Sequence, residues 1–235
     1  LHLWYLVRFD KNTDLKEAME RLSGLGEISK LQINPAIQRA YNPKKKPVPV
    51  SEAALNRMRT RAAADNGFKF NDALLPHQWG YINRGAYDFA TEKAPAIVGS
   101  DVNCEEAWEL CTGDPEIIVA VLDEGVMYTH EDLTANMWVN EKEQVGSDQD
   151  NDGNGYKGDR YGYNFVKDNG NISWQAAEDT GHGTHVAGTI AAVNGNNIGV
   201  CGIAGGDGTK KGVRIMSCQV FDGDGQVRMV NEARA

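Results

Sequence analysis

The most distinctive part of this sequence is a glycine-rich run at residues 181–191. Its apolar members, among them Ala187 and Ile190, recur at the spacing of one helix face. Gly183 and Gly188 leave room beside that face, so the backbone of a neighbouring element can approach closely. The run therefore predicts a helix that packs tightly inside the fold.

A second segment, residues 117–122, is continuously apolar and rich in β-branched residues. This pattern is typical of a strand buried on both faces of a parallel sheet. Asp123 follows directly, at the carboxyl end, where open α/β sheets collect catalytic and ligand-binding groups. The two segments together predict an α/β fold. The plainer interpretation, that Asp123 merely begins a turn, stays open because Asp is a common turn former.

Two histidines mark the start of the predicted helix, His182 and His185. A single histidine is most often a core or capping residue. The spacing of these two on one helix also allows a shared metal ion, but no acidic or thiol residue adjoins the pair, which disfavours that interpretation. The imidazole pKa lies near neutrality, so a histidine at a site also suits proton transfer.

The acid-terminated strand and the Gly-His-Gly-Thr-His run together resemble the aspartate and histidine regions of the subtilisin-like serine proteases, the subtilases. Asp before His is the chain order of subtilisin. The resemblance implies an α/β, parallel-sheet, subtilisin-like core and a serine endopeptidase acting on protein or peptide substrates. It also implies that His182 is the general base, that Asp123 fixes its tautomer, and that His185 is structural.

The chain departs from the subtilase pattern at two points. Glu124 stands where these proteases usually carry Thr or Ser, and we expect its side chain to point away from Asp123, into solvent, because adjacent strand residues face opposite sides. No serine follows a Gly-Thr pair, so the nucleophile is absent, the core is incomplete at its carboxyl terminus, and we expect this chain by itself to be an inactive piece of a zymogen. The resemblance further implies that Gly225, Gln226 and Val227 form the edge that pairs with substrate.

Two other functions remain open at this point. One is a catalytically inactive, calcium-binding domain of the subtilase type. The other is a propeptide-type inhibitor module in which the first residues are the working part.

Residues 148–159 match the loop pattern of an EF-hand, with acids at positions one, three, five and twelve and glycine at six. Alternate carboxylates can converge on one hard cation while the glycine permits the sharp turn. The loop therefore predicts a Ca²⁺ site, and a polar turn without metal is the alternative. The predicted ligands are Asp148, Asp150, Asp152, Asn154 and Asp159.

A second Ca²⁺ site follows from the resemblance alone. The residues that match the ligands of related proteases are Asp72, Asp132 and either Asn196 or Asn197. Such an ion would tie the segment around Asp72 to the core and slow unfolding. No organic cofactor is implied.

The chain divides into three parts. Residues 1–48 suggest a small α+β domain, with strands at 3–9 and 28–33 around a helix capped by Asp14, and they resemble part of a subtilase propeptide, an intramolecular inhibitor and folding chaperone. Residues 49–66 follow a basic, proline-rich stretch and form a linker with the expected processing region. Residues 67–235 form the amino-terminal part of the catalytic domain, with a first helix at 104–110.

Composition excludes several classes of function. A net charge of −9 argues against a nucleic-acid partner. No apolar stretch approaches the ~20 residues needed to span a bilayer. No signal peptide is visible, yet the resemblance implies a secreted or cell-envelope protein. The four cysteines form no metal-binding spacing and are interpreted as small buried residues, with a Cys201–Cys218 disulfide as the alternative.

Overall fold

The computed structural model describes residues 5–33, 53, 67–85, 97–174 and 181–221, together with the backbone of residues 36–38 and 226–228. The helices are α1 (Leu15–Ser23), α2 (Cys104–Leu110) and α3 (His182–Ala191). The strands are β1 (Ala36–Gln38), β2 (Ile118–Asp123), β3 (Gly162–Asn164), β4 (Arg214–Gln219) and β5 (Gln226–Arg228), and 3₁₀ turns occupy Leu75–His77 and Thr134–Asn136.

Three strands form a parallel sheet in the order β2-β4-β3. In its register Asp123 lies opposite Gln219, and Gln219 lies opposite Asn164. The carboxyl ends of all three strands therefore meet at one edge. This is the edge at which an α/β sheet gathers its functional groups, as the sequence predicted for Asp123.

Helix α3 packs against one face of the sheet. Its small residues Gly183, Ala187 and Ala191 are buried, and a Cβ added at Gly183 would lie 3.0 Å from the carbonyl carbon of Glu124 and closer still to its oxygen. The predicted close approach of this helix to a neighbouring backbone is therefore present. The main apolar cluster joins the helix, the sheet and the chain between them; it contains Val121, Val126, Leu133, Met137, Ala187, Ala191, Val213 and Ile215.

The prediction that β2 is buried on both faces is wrong for the described part of the chain. Val121 is 4% exposed, but Ile118 and Leu122 are each 42% exposed. The physical reason is that β2 lies at the edge of the described three-stranded sheet and α3 covers a single face of it.

A second apolar cluster attaches the segment at residues 67–85 to helix α2. It contains Phe70, Leu75, Ile82, Cys104, Trp108 and Cys201. The indole Nε1–H of Trp108 donates to the carbonyl of Ile203 at 2.8 Å, so the buried ring keeps its hydrogen bond. The helix predicted at residues 104–110 is present with those bounds.

The amino-terminal region differs from its prediction. Helix α1 is present, and the Asp14 carboxylate accepts from the backbone N–H groups of Lys16 and Glu17 as an N-cap. No strand forms in the described residues 5–9 or 28–33, because neither segment pairs with another strand of the described chain. Instead β1 pairs with β5 in antiparallel register, with Ile37 opposite Val227.

The four cysteines are free thiols, so the alternative Cys201–Cys218 disulfide is not formed. Burial of the side chain holds for Cys104, Cys201 and Cys218, whereas Cys111 is exposed, against the expectation for all four. The proline-rich stretch, the expected processing region and Gly225 lie outside the described residues. Among the described residues no helix is long and apolar enough to cross a membrane.

Candidate active site

The centre of the candidate site is a pair formed by the last residue of β2 and the first residue of α3. His182 Nδ1 lies 2.8 Å from Asp123 Oδ2 and 2.9 Å from Oδ1. The Asp123 side chain is 14% exposed and that of His182 is 43% exposed. A largely buried carboxylate that accepts from Nδ1–H fixes the ring tautomer, leaving Nε2 as the basic nitrogen.

The loop that follows Asp123 is held by hydroxyl groups from the two neighbouring elements. The Glu124 N–H donates to Asp123 Oδ1 at 2.7 Å. The Val126 N–H donates to Ser217 Oγ on β4 at 3.1 Å, and the Met127 N–H donates to Thr184 Oγ1 on α3 at 2.9 Å. These bonds satisfy buried backbone donors and fix the strand end relative to the helix that carries His182.

The sequence predicted that the Glu124 side chain points into solvent, and this prediction is wrong. Only 1% of the residue is exposed. The reason is that α3 packs directly over this part of the backbone, with Gly183 against the Glu124 carbonyl. The residue beside Asp123 is therefore part of the interior.

A cavity of about 980 Å³ opens beside His182. Trp79, Met127 and Trp174 contribute to its largely apolar wall, and His185 lines it further along α3. An aromatic group supports this wall, because the Tyr128 ring packs edge-on against Trp174 and stacks on Tyr161, with centroids 4.5 and 4.2 Å apart. A cavity of this kind next to an Asp–His pair has room for reacting groups of another segment or of a bound molecule.

The acidic loop brings together most of its predicted ligands. Asp152 and Asp159 share two amide donors. Asn140 Nδ2 lies 2.9 Å from Asp152 Oδ2 and 3.1 Å from Asp159 Oδ1, and Asn154 Nδ2 lies 3.4 Å from Asp152 Oδ2 and 3.0 Å from Asp159 Oδ2. Asp150 accepts the backbone N–H groups of residues 153–155. Asp148, by contrast, is exposed.

Sequence reasoning missed Glu143, which is fully buried in this loop. Its carboxylate accepts the backbone N–H groups of Asn151, Asp152 and Gly158. Oxygen atoms of Glu143, Asp150 and Asp152 lie within 4.8 Å of one another. Glu143 lies five residues before the recognisable pattern, and a lone Glu at that distance carries no local signal.

Most residues of the second predicted metal site also lie close together, and of the two candidate asparagines Asn196 joins them. Asp72 and Asp132 are each 2% exposed, and Asp132 Oδ1 accepts from Asn196 Nδ2 at 2.8 Å. Asn197 is exposed, and its backbone N–H bonds to Asn71 instead. Of the two alternatives, Asn196 is therefore the residue that joins the acids.

Burial makes both acids harder to ionise. Burial raises the pKa of Asp132 to about 6 and raises that of Asp72, and the Asp72 charge adds to the rise at Asp132. Asp72 Oδ2 accepts from the Gly195 N–H at 2.7 Å and from the Cys201 thiol at 3.2 Å. Asp72 Oδ1 is buried without a hydrogen-bond partner.

Known proteins are similar to parts of this chain. Subtilisin-like protease 1 of Plasmodium vivax is 36% identical over 177 residues, covering 74% of this chain and 24% of the relative. The halolysin-like extracellular serine protease Nep of Natrialba magadii is 37% identical over 103 residues, covering 44% of this chain and 16% of the relative. The chain thus spans about a quarter or less of the length of these relatives.

A solved structure, the complex of Aeromonas sobria serine protease with its chaperone, aligns with a TM-score of 0.43 and 27% identity, covering 63% of this chain and 20% of that protein. Residues 114–235 match the Subtilase family. That match takes in β2, the loops after it and α3, and so both Asp123 and His182. The chain belongs to the subtilase family.

Proposed function

We propose that this protein is a serine endopeptidase in which His182 is the general base and Asp123 orients it. The observation that carries the proposal is the contact of His182 Nδ1 with both carboxylate oxygens of Asp123, at 2.9 and 2.8 Å. A carboxylate in this place holds the ring in the tautomer with a basic Nε2 and stabilises the imidazolium formed during reaction.

The nucleophile is proposed to be a serine of the whole protein outside this chain, because no serine here follows a Gly-Thr pair and the matched part of the chain covers only 24% of the Plasmodium vivax relative. Its hydroxyl adds to the peptide carbonyl carbon while His182 takes the proton. The C–N bond then breaks as His182 returns that proton to the leaving amine, and water hydrolyses the ester with the same imidazole as base. The 235-residue chain alone is expected to be inactive.

Protein or peptide substrates are proposed to pair with β5, through Gln226 and Val227. The antiparallel pairing of β1 with β5 supports this, since it leaves that strand edge bonded to an extended segment of the same chain. We propose that residues 1–48 act as an intramolecular inhibitor by this contact. Along β1 the chain runs antiparallel to β5, from Ala36 opposite Arg228 to Gln38 opposite Gln226.

The acidic loop is proposed to hold Ca²⁺. Its donors are carboxylate and amide oxygens, which hard cations prefer, and Glu143 joins Asp150, Asp152, Asn154 and Asp159. Burial and the neighbouring carboxylates raise the pKa of Asp159, so a cation would relieve a real electrostatic cost. The ion would supply structural charge neutralisation and no chemical step.

Asp72, Asp132 and Asn196 are proposed to hold a second Ca²⁺. The unpartnered, buried Asp72 Oδ1 supports this assignment, because a buried carboxylate oxygen without a partner is costly and a cation would remove that cost. The site would fasten the segment that carries Asp72 to the loop after α3.

We further propose that the protein is secreted, as the name of the extracellular relative suggests.

The test compares the full-length protein with the 235-residue chain, each treated with a fluorophosphonate probe and weighed by intact mass spectrometry. We expect one adduct on the full-length protein, none on the short chain, and none on a full-length His182→Ala variant. An adduct that persists in His182→Ala at the wild-type rate, or a full-length protein that never reacts, would refute the assignment of general base or of activity, respectively.

A further inference from the structure

The first turn of α3 lies directly on the loop that follows Asp123, and three consecutive helix residues contact that loop in order. His182 bonds to Asp123 at the start of the loop. Gly183 packs against the loop backbone just after Asp123, and Thr184 bonds to Met127 further along. The helix and the loop therefore run alongside each other, and a hydrogen bond joins them at each end of the contact.

The bond at the far end of this contact comes from the Thr184 hydroxyl, whose Oγ1 accepts the Met127 N–H at 2.9 Å. Thr184 stands two residues after His182, and residues two apart on a helix differ in direction by about 200°. The bonds to Asp123 and to Met127 thus hold α3 from opposite sides. Turning the helix about its axis would strain or break one of them.

The other features at the start of α3 do not supply this directional hold. Its N-cap residue is Gly181, at φ 77°, and a glycine has no side chain with which to bond the first turn. Gly183 limits how closely the helix approaches the loop, since an added Cβ would lie 3.0 Å from the Glu124 carbonyl carbon. That contact is repulsive and sets a distance, whereas the Thr184 bond is directional and also sets the rotation of the first turn.

We propose that Thr184 is a positioning residue, which fixes the rotation of α3 that directs the His182 imidazole at the Asp123 carboxylate. The inference rests on the proposed function, in which His182 transfers the proton of the reaction. It requires a hydroxyl that accepts from Met127, which Thr and Ser supply and Val, similar to Thr in shape, does not. Thr184 acts through the helix and the loop, so its loss lowers the rate of the chemical step and leaves peptide binding unchanged.

The experiment uses the full-length protein and the variants Thr184→Val, Thr184→Ser and Thr189→Val. Thr189 is the matched control, because it lies on the same helix, lines the same cavity as Thr184 and donates its hydroxyl proton to the His185 carbonyl at 3.1 Å. Thr189→Val therefore makes the same chemical change on the cavity wall and keeps the bond to Met127. The readouts are kcat and KM for casein, and the rate of labelling by a small fluorophosphonate.

Thr184→Val is expected to lower kcat and the labelling rate about tenfold each, since the loss of one hydrogen bond to a partly buried N–H corresponds to about that factor. Each rate is divided by the fraction of molecules that the probe finally labels, so a loss of folded protein does not lower it. KM for casein stays at its wild-type value, and Thr184→Ser and Thr189→Val keep all three wild-type values. A wild-type kcat in Thr184→Val, equal losses in the two Val variants, or a tenfold loss in Thr184→Ser would overturn the positioning role.

A second measurement does not require catalysis. In proton NMR of the 235-residue chain, the Nδ1 proton of His182 that bonds to Asp123 should resonate downfield of the amide protons, and it is identified by its absence in His182→Ala. Loss or an upfield shift of this resonance in Thr184→Val, with the amide spectrum intact and no change in Thr189→Val, supports the inference even if the full-length wild type is never labelled. In that case only the proposed protease activity falls. An unchanged resonance in Thr184→Val refutes the inference, and normal labelling of the wild type then leaves the protease assignment standing.

Discussion

Two glycines of helix α3 offer a matched test of how the helix is seated on the sheet. An alanine at Gly183 would place its methyl carbon 3.0 Å from the Glu124 carbonyl carbon, 3.2 Å from the Gly125 oxygen and closer still to the Glu124 oxygen. All three are backbone atoms of the two residues that follow Asp123, so none of them can yield as a flexible side chain would. An alanine at Gly188 meets nothing within 4 Å.

The expected free energies of unfolding follow from these contacts. Overpacking of this kind costs ~1–3 kcal/mol, and replacing glycine by alanine in a helix returns up to ~1 kcal/mol. Gly183→Ala should therefore lose about 1–2 kcal/mol of stability. Gly188→Ala, with the helix gain and no collision, should gain about 0.5–1 kcal/mol.

Urea unfolding of the 235-residue chain, followed by tryptophan fluorescence, measures both values. In the full-length protein, Gly183→Ala should also slow casein cleavage, because the helix can relieve the overlap only by carrying His182 away from Asp123. Equal stabilities for Gly183→Ala and Gly188→Ala would refute the close seating of α3, and normal cleavage by a destabilised Gly183→Ala would refute its link to the Asp–His pair.

Three further outcomes are expected. In the full-length protein Asp123→Asn should lower kcat for casein by about 10⁴ with little change in stability, because an amide favours the wrong imidazole tautomer. A loss of kcat below tenfold would contradict the role given to Asp123. Burial raises the pKa of Asp132 to about 6, so a proton competes with Ca²⁺ below that pH and the Ca²⁺ affinity measured by calorimetry should fall from pH 7 to pH 5. An affinity that does not change over this range would argue against Asp132 as a ligand. Iodoacetamide should modify the native chain once, at the exposed Cys111, because burial raises the pKa of Cys218 to about 11 and that of Cys201 further. Two or more adducts in the mass spectrum would show that the other thiols are not buried as described.

Local sequence patterns predicted the elements that carry the candidate site but not their surroundings. Period and side-chain size located α3, and the apolar run located β2, because both depend on a few consecutive residues. The same run could not reveal how many layers cover the strand. Ile118 and Leu122 are therefore exposed despite an apolar pattern that suits full burial.

Local sequence patterns also could not predict which distant segments pair with each other. Residues 28–33 alternate like a strand, yet a strand also needs a partner, and the partner of β1 lies almost two hundred residues further along the chain. The same holds for the acidic loop, where the motif located Asp150, Asp152 and Asp159 but Glu143 becomes part of the cluster only when the loop folds back over it.

Asn196 and Asn197 differ in backbone geometry, which the sequence does not reveal. Asn197 adopts a positive φ of 62°, a conformation that Asn tolerates better than most residues. The turn built on it leaves the Asn196 side chain beside Asp132. Asn197 thus forms the turn, and the Asn196 side chain bonds to Asp132. Because the two side chains are identical, the sequence alone does not distinguish these roles.

The carboxyl edge of the sheet explains why these separate segments act together. Asp123, Gln219 and Asn164 form one row across three strands, and each directs its side chain to a different loop. Asp123 holds His182, Gln219 holds Ser173 and Phe221, and Asn164 accepts the N–H groups of residues 166 and 167 and donates to the carbonyl of residue 171. Buried polar side chains are costly unless every group is bonded, so apolar residues would suffice if this edge only had to be stable. A row of satisfied polar groups instead fixes three loops relative to one another, which a site assembled from distant parts of the chain requires.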